Sequence, residues 1–531
     1  MNPTFRIAAW LMSLTLLVGC VPSYDIIILN GTIYDGLSET PTQQDIAIRG
    51  ERIVAIGDLD GKQAERVIDA EGLVVAPGFI DLHTHLDPLL HLPDAESHVR
   101  QGVTTALGGP DGSAPYPLKE YLDTLPGLGL GMNVAFLAGH NTIRRNIMDL
   151  ENRAPTAEEL EAMKVQVQQA MDEGAFGLST GLKYLPGAFS EVNEVIELSK
   201  VAARNGGIYT SHLREEGLGL IEAVEEAIRI SAEAGIPVVL THHKVVGKPM
   251  WGQSQRTLAL VDSARAVGLD IMIDQYPYTA SYTSISILIP AWAMAGGDEA
   301  FKTRLQDPVL RDSIKNGIVY NLVNDRGGAD LRRVQFAKVS WKSNLEGRTL
   351  YDWAIEKGLD STMQTGAELV MEAQTNGGAS CVFFAMSDED VDRIMLHPQT
   401  MIASDGRLVR PGEGHPHPRW YGTFPRVLGH YVRERGLLPL GLAIKKMTSM
   451  PAERLRLKDR GRIQEGAFAD IVIFDPETVI DRATFFEPHQ YPGGIPFVLV
   501  NGVFMVDDGN FTENRSGRVL YGPATKAKPS E

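Results

Sequence analysis

Two histidines of one short stretch, His83 and His85, are the first residues in this chain whose type and spacing suggest chemistry. They follow an apolar run that begins at Phe79 and predicts a β-strand. Side chains two residues apart on a strand point to the same face, so the two imidazoles can converge on one point. Two neutral imidazoles are suitable ligands for a divalent metal ion, most often zinc.

Residue types that bind metals also end the later apolar runs of the chain. In chain order they are Asp111, His140, His212, His242, His243, Asp274 and Asp405. Each alone could have a structural role, which for an isolated histidine is the better interpretation. Several such groups at the same end of successive strands are hard to explain in that way. The pattern therefore predicts one metal site assembled from strand ends.

The elements that must position these residues are short apolar runs separated by helical patterns. The runs cover residues 79–85, 104–109, 133–140, 176–180, 207–213, 237–243, 269–276 and 401–405. Between most of them, apolar residues recur at i, i+3 and i+4, as in residues 158–172, 192–204 and 220–234. Eight strands alternating with helices predict a (β/α)8 barrel of the TIM type, an α/β fold whose active sites lie at the C-terminal ends of the strands. A doubly wound open sheet is the alternative, but the Gly-rich phosphate loop that would favour it is absent after the first strand.

Composition excludes some classes of protein. The chain has 531 residues, of which 44% are hydrophobic, and can bury more than one small core. Its formal charge of −17 and its lack of Lys/Arg-rich runs argue against a nucleic-acid partner, because contacts to phosphates need clustered cations.

The first twenty residues resemble an export signal. Arg6 precedes an apolar run, residues 7–18, that is too short to span a bilayer. The run leads into Leu-Val-Gly-Cys20, which resembles the lipobox of bacterial lipoproteins, where the cysteine is acylated after cleavage. We therefore expect an exported lipoprotein at the periplasmic face, anchored to a membrane only through Cys20, and in the outer membrane because Val21 is not acidic. An ordinary signal peptide with a chance cysteine is the alternative; Cys381, the other cysteine, is predicted to be a buried strand residue.

The motifs around the strand ends resemble those of the amidohydrolase superfamily, and within it the D-aminoacylases (N-acyl-D-amino-acid deacylases). Beside the His83/His85 motif, the matching stretches are 139–145 (GHNTIRR), 177–184 (GLSTGLKY), 211–214 (SHLR), 241–244 (THHK), 274–278 (DQYPY), 403–406 (ASDG), 417–423 (HPRWYGT), 447–452 (MTSMPA) and 466–470 (GAFAD). They occur in family order over most of the chain.

This resemblance implies a domain organisation. The barrel would occupy residues 77–460, and a small β-domain beside it would be formed by residues 24–76 and 461–523. Residues 281–345 interrupt the barrel pattern and resemble the insertion that covers the site as a lid in this family. A surface elaboration with no role is the alternative for this segment.

The implied activity is metal-dependent hydrolysis of the amide bond of N-acyl-D-amino acids. Zinc would supply a nucleophilic water near neutral pH and polarise the carbonyl. Asp405, which ends the last strand, is the predicted general base and acid. His212 and His242 would hold a tightly bound ion, and His83 and His85 would flank a second position that is weaker or empty.

One residue departs from the family pattern. D-aminoacylases usually carry a metal-binding cysteine after the second strand, whereas this chain reads Gly-Gly-Pro-Asp111-Gly. A carboxylate is a harder ligand than a thiolate and can bridge two ions. We expect Asp111 to be a ligand, so that one or two ions bind and the identity of the metal stays open. The alternative is that Asp111 only caps a tight turn.

The resemblance also implies that Lys244, Tyr184 and a tyrosine of the Tyr276/Tyr278 motif hold the α-carboxylate of the substrate. An ammonium and phenol donors suit that use. Arg214 can do the same, or it can pair with Glu215, Glu216 or Asp405.

Two other functions are compatible with the sequence. A dipeptidase of the same superfamily, acting on D-residue-containing or unusual dipeptides, would need an extra carboxylate for the substrate amine, such as Glu215, Glu216 or Asp87. A non-catalytic lipoprotein that binds a ligand on a degenerate barrel is the more distant alternative, although the catalytic aspartate and all the histidines are present.

Overall fold

Eight parallel strands pair in the order of the sequence and form a barrel. In this computed structural model, which describes residues 23–526, they are β1 (Phe79–Asp81), β2 (Val103–Gly108), β3 (Asn133–Phe136, continued by Ala138–Gly139), β4 (Gly177–Gly181), β5 (Ile208–His212), β6 (Val238–Leu240), β7 (Ile271–Gln275) and β8 (Thr400–Ile402). Hydrogen bonds join each strand to the next. Parallel pairing of Thr84–His85 with Gly406–Arg407 closes the ring between β1 and β8. The predicted (β/α)8 barrel is confirmed.

Helices on the outside of the barrel connect most of the strands. They are Glu96–Val99, Leu118–Thr124, His140–Met148, Ala157–Glu173, Val192–Arg204, Leu220–Ala234, Ser254–Ala266 and Asp388–Leu396, followed after β8 by Arg419–Arg426, Leu440–Met447 and Ser449–Arg454. Their i, i+3, i+4 apolar faces lie in the same buried cluster as the outward side chains of the strands. Thr156 begins one of them with a capping box, in which Thr156 and Glu159 each bind the other's backbone amide. The strands are thereby held from outside, and their C-terminal loops are free to carry a site.

The segment between β7 and β8 is longer than predicted. It forms a three-stranded antiparallel sheet from Ser281–Ser284, Ser380–Phe383 and Val334–Lys338. Its helices are Gly297–Arg304, Pro308–Asn324, Leu350–Glu356 and Met363–Thr375. The predicted end at residue 345 therefore falls inside the insertion, because the middle strand of its sheet comes last in sequence. The insertion has its own apolar core, which includes the buried Cys381 as predicted.

Both ends of the chain contribute strands to one β-domain. A seven-stranded sheet has the order Asn510–Phe511, Val503–Asp507, Phe497–Val500, Ile471–Phe474, Val74–Pro77, Thr32–Ile33 and Thr42–Gln43. A four-stranded sheet has the order Arg52–Gly57, Asp45–Arg49, Tyr24–Leu29 and Ala64–Asp69. Isoleucines from both sheets share one buried cluster. The expected small β-domain is confirmed, and it joins N- and C-terminal segments because neither has enough strands to be stable alone.

No helix within residues 23–526 is long and apolar enough to cross a membrane. Cys20 and the predicted lipobox lie outside the described residues.

Candidate active site

Two overlapping groups of metal-binding side chains meet at the C-terminal ends of the barrel strands. His83, His85, Asp111 and Asp405 form the first group, and Asp111, His212 and His242 form the second. Within each group, one ligand atom per residue lies within 4.8 Å of the others. The structure thus brings together all six residues that the sequence suggested for the metals and the acid–base chemistry.

Asp111 lies between the two groups. Its Oδ1 atom is 3.4 Å from Nε2 of His83 and 3.4 Å from Nε2 of His242. Its Oδ2 atom is 3.7 Å from Nε2 of His85 and 3.8 Å from Nδ1 of His212. Ligand atoms about 2.0–2.2 Å from a tetrahedral ion are roughly 3.3–3.6 Å from one another. The two separations of 3.4 Å are those of groups that share an ion, and the other two are slightly longer.

The buried polar atoms of the site also fit a bound cation. Nε2 of His83 and Oδ1 of Asp111, which face each other, are buried and have no hydrogen-bond partner within residues 23–526. Leaving such atoms unsatisfied costs about 1–3 kcal/mol each. Imidazole nitrogens with carboxylate oxygens are a donor set that suits zinc and related divalent ions. The residues present therefore fit a metal site.

Three residues of the site have left-handed backbone conformations. The φ angles are 54° at Asp111, 37° at His242 and 47° at Asp405. A residue other than glycine rarely adopts such angles, and strained conformations collect where the surrounding structure fixes a functional side chain. The carboxylate of Asp111 faces the histidines, and the turn that carries it is closed by the amide of Ser113, which donates to the carbonyl of Pro110 at 3.0 Å. The turn exists, but the Asp111 side chain does not cap it.

The carboxylates of Asp111 and Asp405 favour a positive charge between them. Burial would raise the pKa of Asp405, but Arg419, whose Nη2 is 3.0 Å away, and His242 hold that pKa below its usual value. Burial and Lys244 would lower the pKa of His242, yet Asp111 and Asp405 raise it to about 9. A positive charge is therefore favoured at this position, and a metal ion would supply it.

A cavity of about 310 Å³ opens onto these groups. Tyr184 lines it and contacts the site, with its ring 4.4 Å from that of His212. Arg419 also lines it, and its guanidinium lies 4.5 Å from the ring of Tyr276. Sequence reasoning assigned no role to Arg419, although the 417–423 motif contains it. Its position beside Asp405 depends on the loop after β8, which no local pattern predicts.

The other predicted substrate residues have partners of their own. Lys244 binds Glu216 and lies 2.6 Å from Nδ1 of His242. Tyr278 donates to Asp481 at 3.2 Å. Their roles toward the substrate stay predictions.

Arg214 is not free either. It pairs with Glu226 at 2.8 Å and lines a neighbouring cavity rather than the metal groups. The alternative prediction of an ion pair is correct in kind, but the partner is Glu226 and not Glu215, Glu216 or Asp405. A role toward the α-carboxylate stays a prediction.

Two further strand-end histidines each form a hydrogen bond with a residue outside the site. His243 is buried, and its Nε2 atom is 2.9 Å from Oγ1 of Thr257. His140 lies 2.8 Å from Glu194, which also binds Arg144. Neither belongs to the metal groups.

Comparison with known proteins identifies the family. The model of the amidohydrolase family matches residues 66–305 and 358–506. This chain belongs to the amidohydrolase family. It is 38% identical to a D-aminoacylase of Alcaligenes xylosoxydans xylosoxydans, over 94% of this chain and 97% of that protein. It is 37% identical to an N-acyl-D-glutamate deacylase of the same organism, over 96% and 98% of the two chains.

A solved structure of the family is also similar. The N-acyl-D-glutamate deacylase of Bordetella bronchiseptica, in complex with zinc and a phosphonate mimic of the tetrahedral intermediate, superposes with a TM-score of 0.80 at 35% identity, over 94% of this chain and 99% of that one. The resemblance inferred from the motifs is confirmed.

Proposed function

We propose that this chain is a metal-dependent hydrolase that removes the acyl group from N-acyl-D-amino acids, with one or two divalent ions, zinc among them. The observation that carries the proposal is the pair of His/Asp groups sharing Asp111 beside Asp405 at the barrel mouth. The similar proteins support the substrate class, because they are named as deacylases of D-amino-acid derivatives. The zinc of the Bordetella relative supports the metal.

The chemistry divides between the metal and Asp405. A divalent ion held by His83, His85, Asp111, His212 and His242 would supply a nucleophilic water near neutral pH and polarise the amide carbonyl. Asp405 accepts the proton of the attacking water and returns it to the leaving nitrogen. Its Oδ1 atom is 3.2 Å from Nε2 of His85, and its Oδ2 atom is 3.0 Å from Nη2 of Arg419, so its carboxylate is fixed at both oxygens.

Arg419 is suited to bind the α-carboxylate of the substrate. Its Nε and Nη1 atoms are buried and have no hydrogen-bond partner within residues 23–526, although the residue lines the cavity above the metal groups. An unpaired guanidinium nitrogen can donate a charge-assisted hydrogen bond to a carboxylate. With the carboxylate held there and the carbonyl held at the metal, the Cα substituent has one direction available, which favours a single enantiomer.

The side chain of the substrate would enter a cavity of about 750 Å³ that shares Tyr184 and Leu185 with the metal cavity. The charged residues around it are already paired: Arg214 with Glu226 and Lys183 with Glu215. We therefore expect uncharged side chains to be preferred over those of D-glutamate and D-aspartate.

The dipeptidase alternative lacks support in the geometry. It requires a free carboxylate for the substrate amine, and all three candidates are engaged with cations. Glu216 binds Lys244, Glu215 binds Lys183 at 2.6 Å, and Asp87 binds Arg407 at 3.2 Å.

Turnover of paired enantiomers tests the proposal. N-acetyl-D-leucine should be hydrolysed with a kcat/KM at least ~100-fold above that of N-acetyl-L-leucine, a difference of about 3 kcal/mol in transition-state binding. A chelator should abolish the activity, and zinc should restore it. Equal rates on both enantiomers, or turnover that survives complete metal removal, would contradict the proposal; faster cleavage of D-containing dipeptides would favour the alternative.

We further propose that the protein is an exported lipoprotein anchored through Cys20, at the periplasmic face of the outer membrane. The apolar run before Cys20 and the lipobox-like residues support this. In a Gram-negative host, radiolabelled palmitate should label the wild-type protein and not Cys20→Ser. Unlabelled wild-type protein in the cytoplasm with Met1 intact would refute it.

A further inference from the structure

Glu216 is a buried carboxylate behind the histidines of the second metal group. It lies four residues beyond His212, in the loop after β5, and is 3% exposed. Its Oε1 atom is 3.2 Å from Nδ1 of His242, and its Oε2 atom is 3.8 Å from Nε2 of His212. These are the ring nitrogens opposite to the ones that face Asp111. Glu216 therefore stands on the far side of both rings from the metal position.

This position fits the usual outer partner of metal-binding histidines. A histidine that binds a metal through one nitrogen carries a proton on the other, and a carboxylate that accepts this proton fixes the tautomer and the ring orientation. Nδ1 of His242 is 3.2 Å from Oε1 of Glu216 and 2.6 Å from Nζ of Lys244, which itself binds Oε1, so Glu216 and Lys244 together fix this side of the ring. The 3.8 Å separation to His212 is too long for a direct bond, so there the carboxylate acts through its charge.

The insertion holds Glu216 in place. Arg326 follows the helix Pro308–Asn324 and is 2% exposed. Its Nη2 atom donates to Oε2 of Glu216 at 3.0 Å, and its Nη1 atom donates to Oγ of Ser281 at 3.1 Å. Lys244 binds the other oxygen of Glu216. Two cations therefore stabilise the charged form of this carboxylate, one from the barrel and one from the insertion.

Backbone packing joins the same elements. A Cβ atom on Gly217 would lie 2.7 Å from Oδ1 of Asp325, and one on Gly247 would lie 2.5 Å from the carbonyl oxygen of Asn324. The amide of Val246 donates to the carbonyl of Glu216 at 2.8 Å. The loops after β5 and β6 are thus packed against each other and against the base of the insertion with no space for a side chain.

We propose that Glu216 positions His212 and His242 for metal binding and that Arg326 holds Glu216, so that metal affinity depends on a residue of the insertion. The base of the insertion is then a fixed part of the metal centre, whatever the motion of its outer helices. This inference rests on the metal-dependent function proposed above.

Zinc affinity, measured by competition with a chromogenic chelator on the full chain, tests the inference. Removing an outer partner of a ligand typically weakens metal binding ~10–100-fold. Glu216→Gln, which keeps the shape and removes the charge, should weaken zinc binding by that factor. Arg326→Met should also weaken zinc binding. The double variant should lose less binding free energy than the two single variants lose together, because both changes interrupt one contact.

The chain offers a matched control in Glu194. This glutamate is also buried and binds a strand-end histidine, His140, at 2.8 Å and an arginine, Arg144, at 2.5 Å, but it touches no residue of the metal groups. Glu194→Gln and Arg144→Met should lower the melting temperature of the metal-free protein without changing the zinc affinity of the folded fraction.

The possible failures are distinguishable. Wild-type protein that binds no divalent metal would overturn the proposed function. Zinc binding that is normal in wild type and unchanged in both Glu216→Gln and Arg326→Met would overturn the inference alone. Equal losses of affinity in the Glu194 and Glu216 variants would also overturn it, since the effect would then be one of general stability. If Glu216→Gln does not fold, the zinc affinities of Arg326→Met and Arg144→Met are compared instead. A loss in Arg326→Met alone supports the inference, and equal affinities overturn it.

Discussion

Replacement of Asp111 by asparagine separates the role of a metal ligand from that of a turn residue. Asparagine tolerates the left-handed φ of 54° observed at this position, so the turn should persist. It removes the negative charge that lies 3.4 Å from His83 and from His242. A ligand contributes more than its outer partners, whose removal costs up to ~100-fold in affinity, so zinc binding should weaken by at least that factor. The metal-free protein should melt at the wild-type temperature.

Alanine at the same position adds a second effect. The left-handed region costs an L-residue roughly 1–2 kcal/mol, and aspartate and asparagine tolerate it better than alanine does, so Asp111→Ala should lose metal and also stability. Asp508 is the control, because it also has a positive φ, 48°, and lies in the turn between Val503–Asp507 and Asn510–Phe511, outside the metal groups. Asp508→Ala should also lose stability and should keep full metal content.

Metal analysis after gel filtration, with the melting temperature of the chelator-treated protein, distinguishes the outcomes. Asp111→Asn with wild-type metal content would refute the ligand assignment. Asp111→Cys should bind zinc more tightly than wild type does, because thiolate is the softer ligand. A cysteine variant that binds zinc no better than the alanine variant would show that the loop does not present this side chain to the ion.

Three further predictions concern catalysis, recognition and stability. Asp405→Asn should keep its metal and lose at least ~100-fold in kcat, measured with saturating N-acetyl-D-leucine, and near-normal turnover would exclude Asp405 as the acid–base group. Arg419→Met should reduce kcat/KM about 30-fold more for N-acetyl-D-leucine than for its C-terminal amide, since a hydrogen bond between charged groups is worth ~2 kcal/mol; equal losses would exclude the carboxylate contact. Burial lowers the pKa of Lys446, which donates to two buried carbonyls, to about 7. Between about pH 7 and 10 the unfolded chain holds a proton that the folded chain lacks, so the free energy of unfolding should rise with pH by up to ~1.4 kcal/mol per unit. Chemical denaturation should show that Lys446→Met removes this rise and that Lys445→Met keeps it; identical slopes in all three proteins would refute the assignment.

The alternation of short apolar runs and helical patterns was enough to predict the barrel. Parallel strands that are buried on both faces must be apolar along their length, and their C-terminal ends must meet on one side. Polar residues that end such runs, as His83 and Asp405 do, therefore had to converge whatever the details of packing. The i, i+2 spacing of His83 and His85 adds a shared direction, because side chains alternate along a strand. For these reasons the residues that meet in the candidate metal groups could be selected from the sequence.

Pairings between distant charged groups depended on the tertiary structure. The sequence did not indicate that Lys244 binds Glu216, or that Arg326 reaches the same carboxylate across 110 residues of chain. The insertion likewise ends at Phe383 rather than at residue 345, since its last strand lies between the other two. Periodicity reports which face of an element is buried, whereas the partner of a buried charge depends on how separate elements pack. Only the folded chain places Asp111 between two groups of histidines and joins the insertion to the metal centre through one buried glutamate.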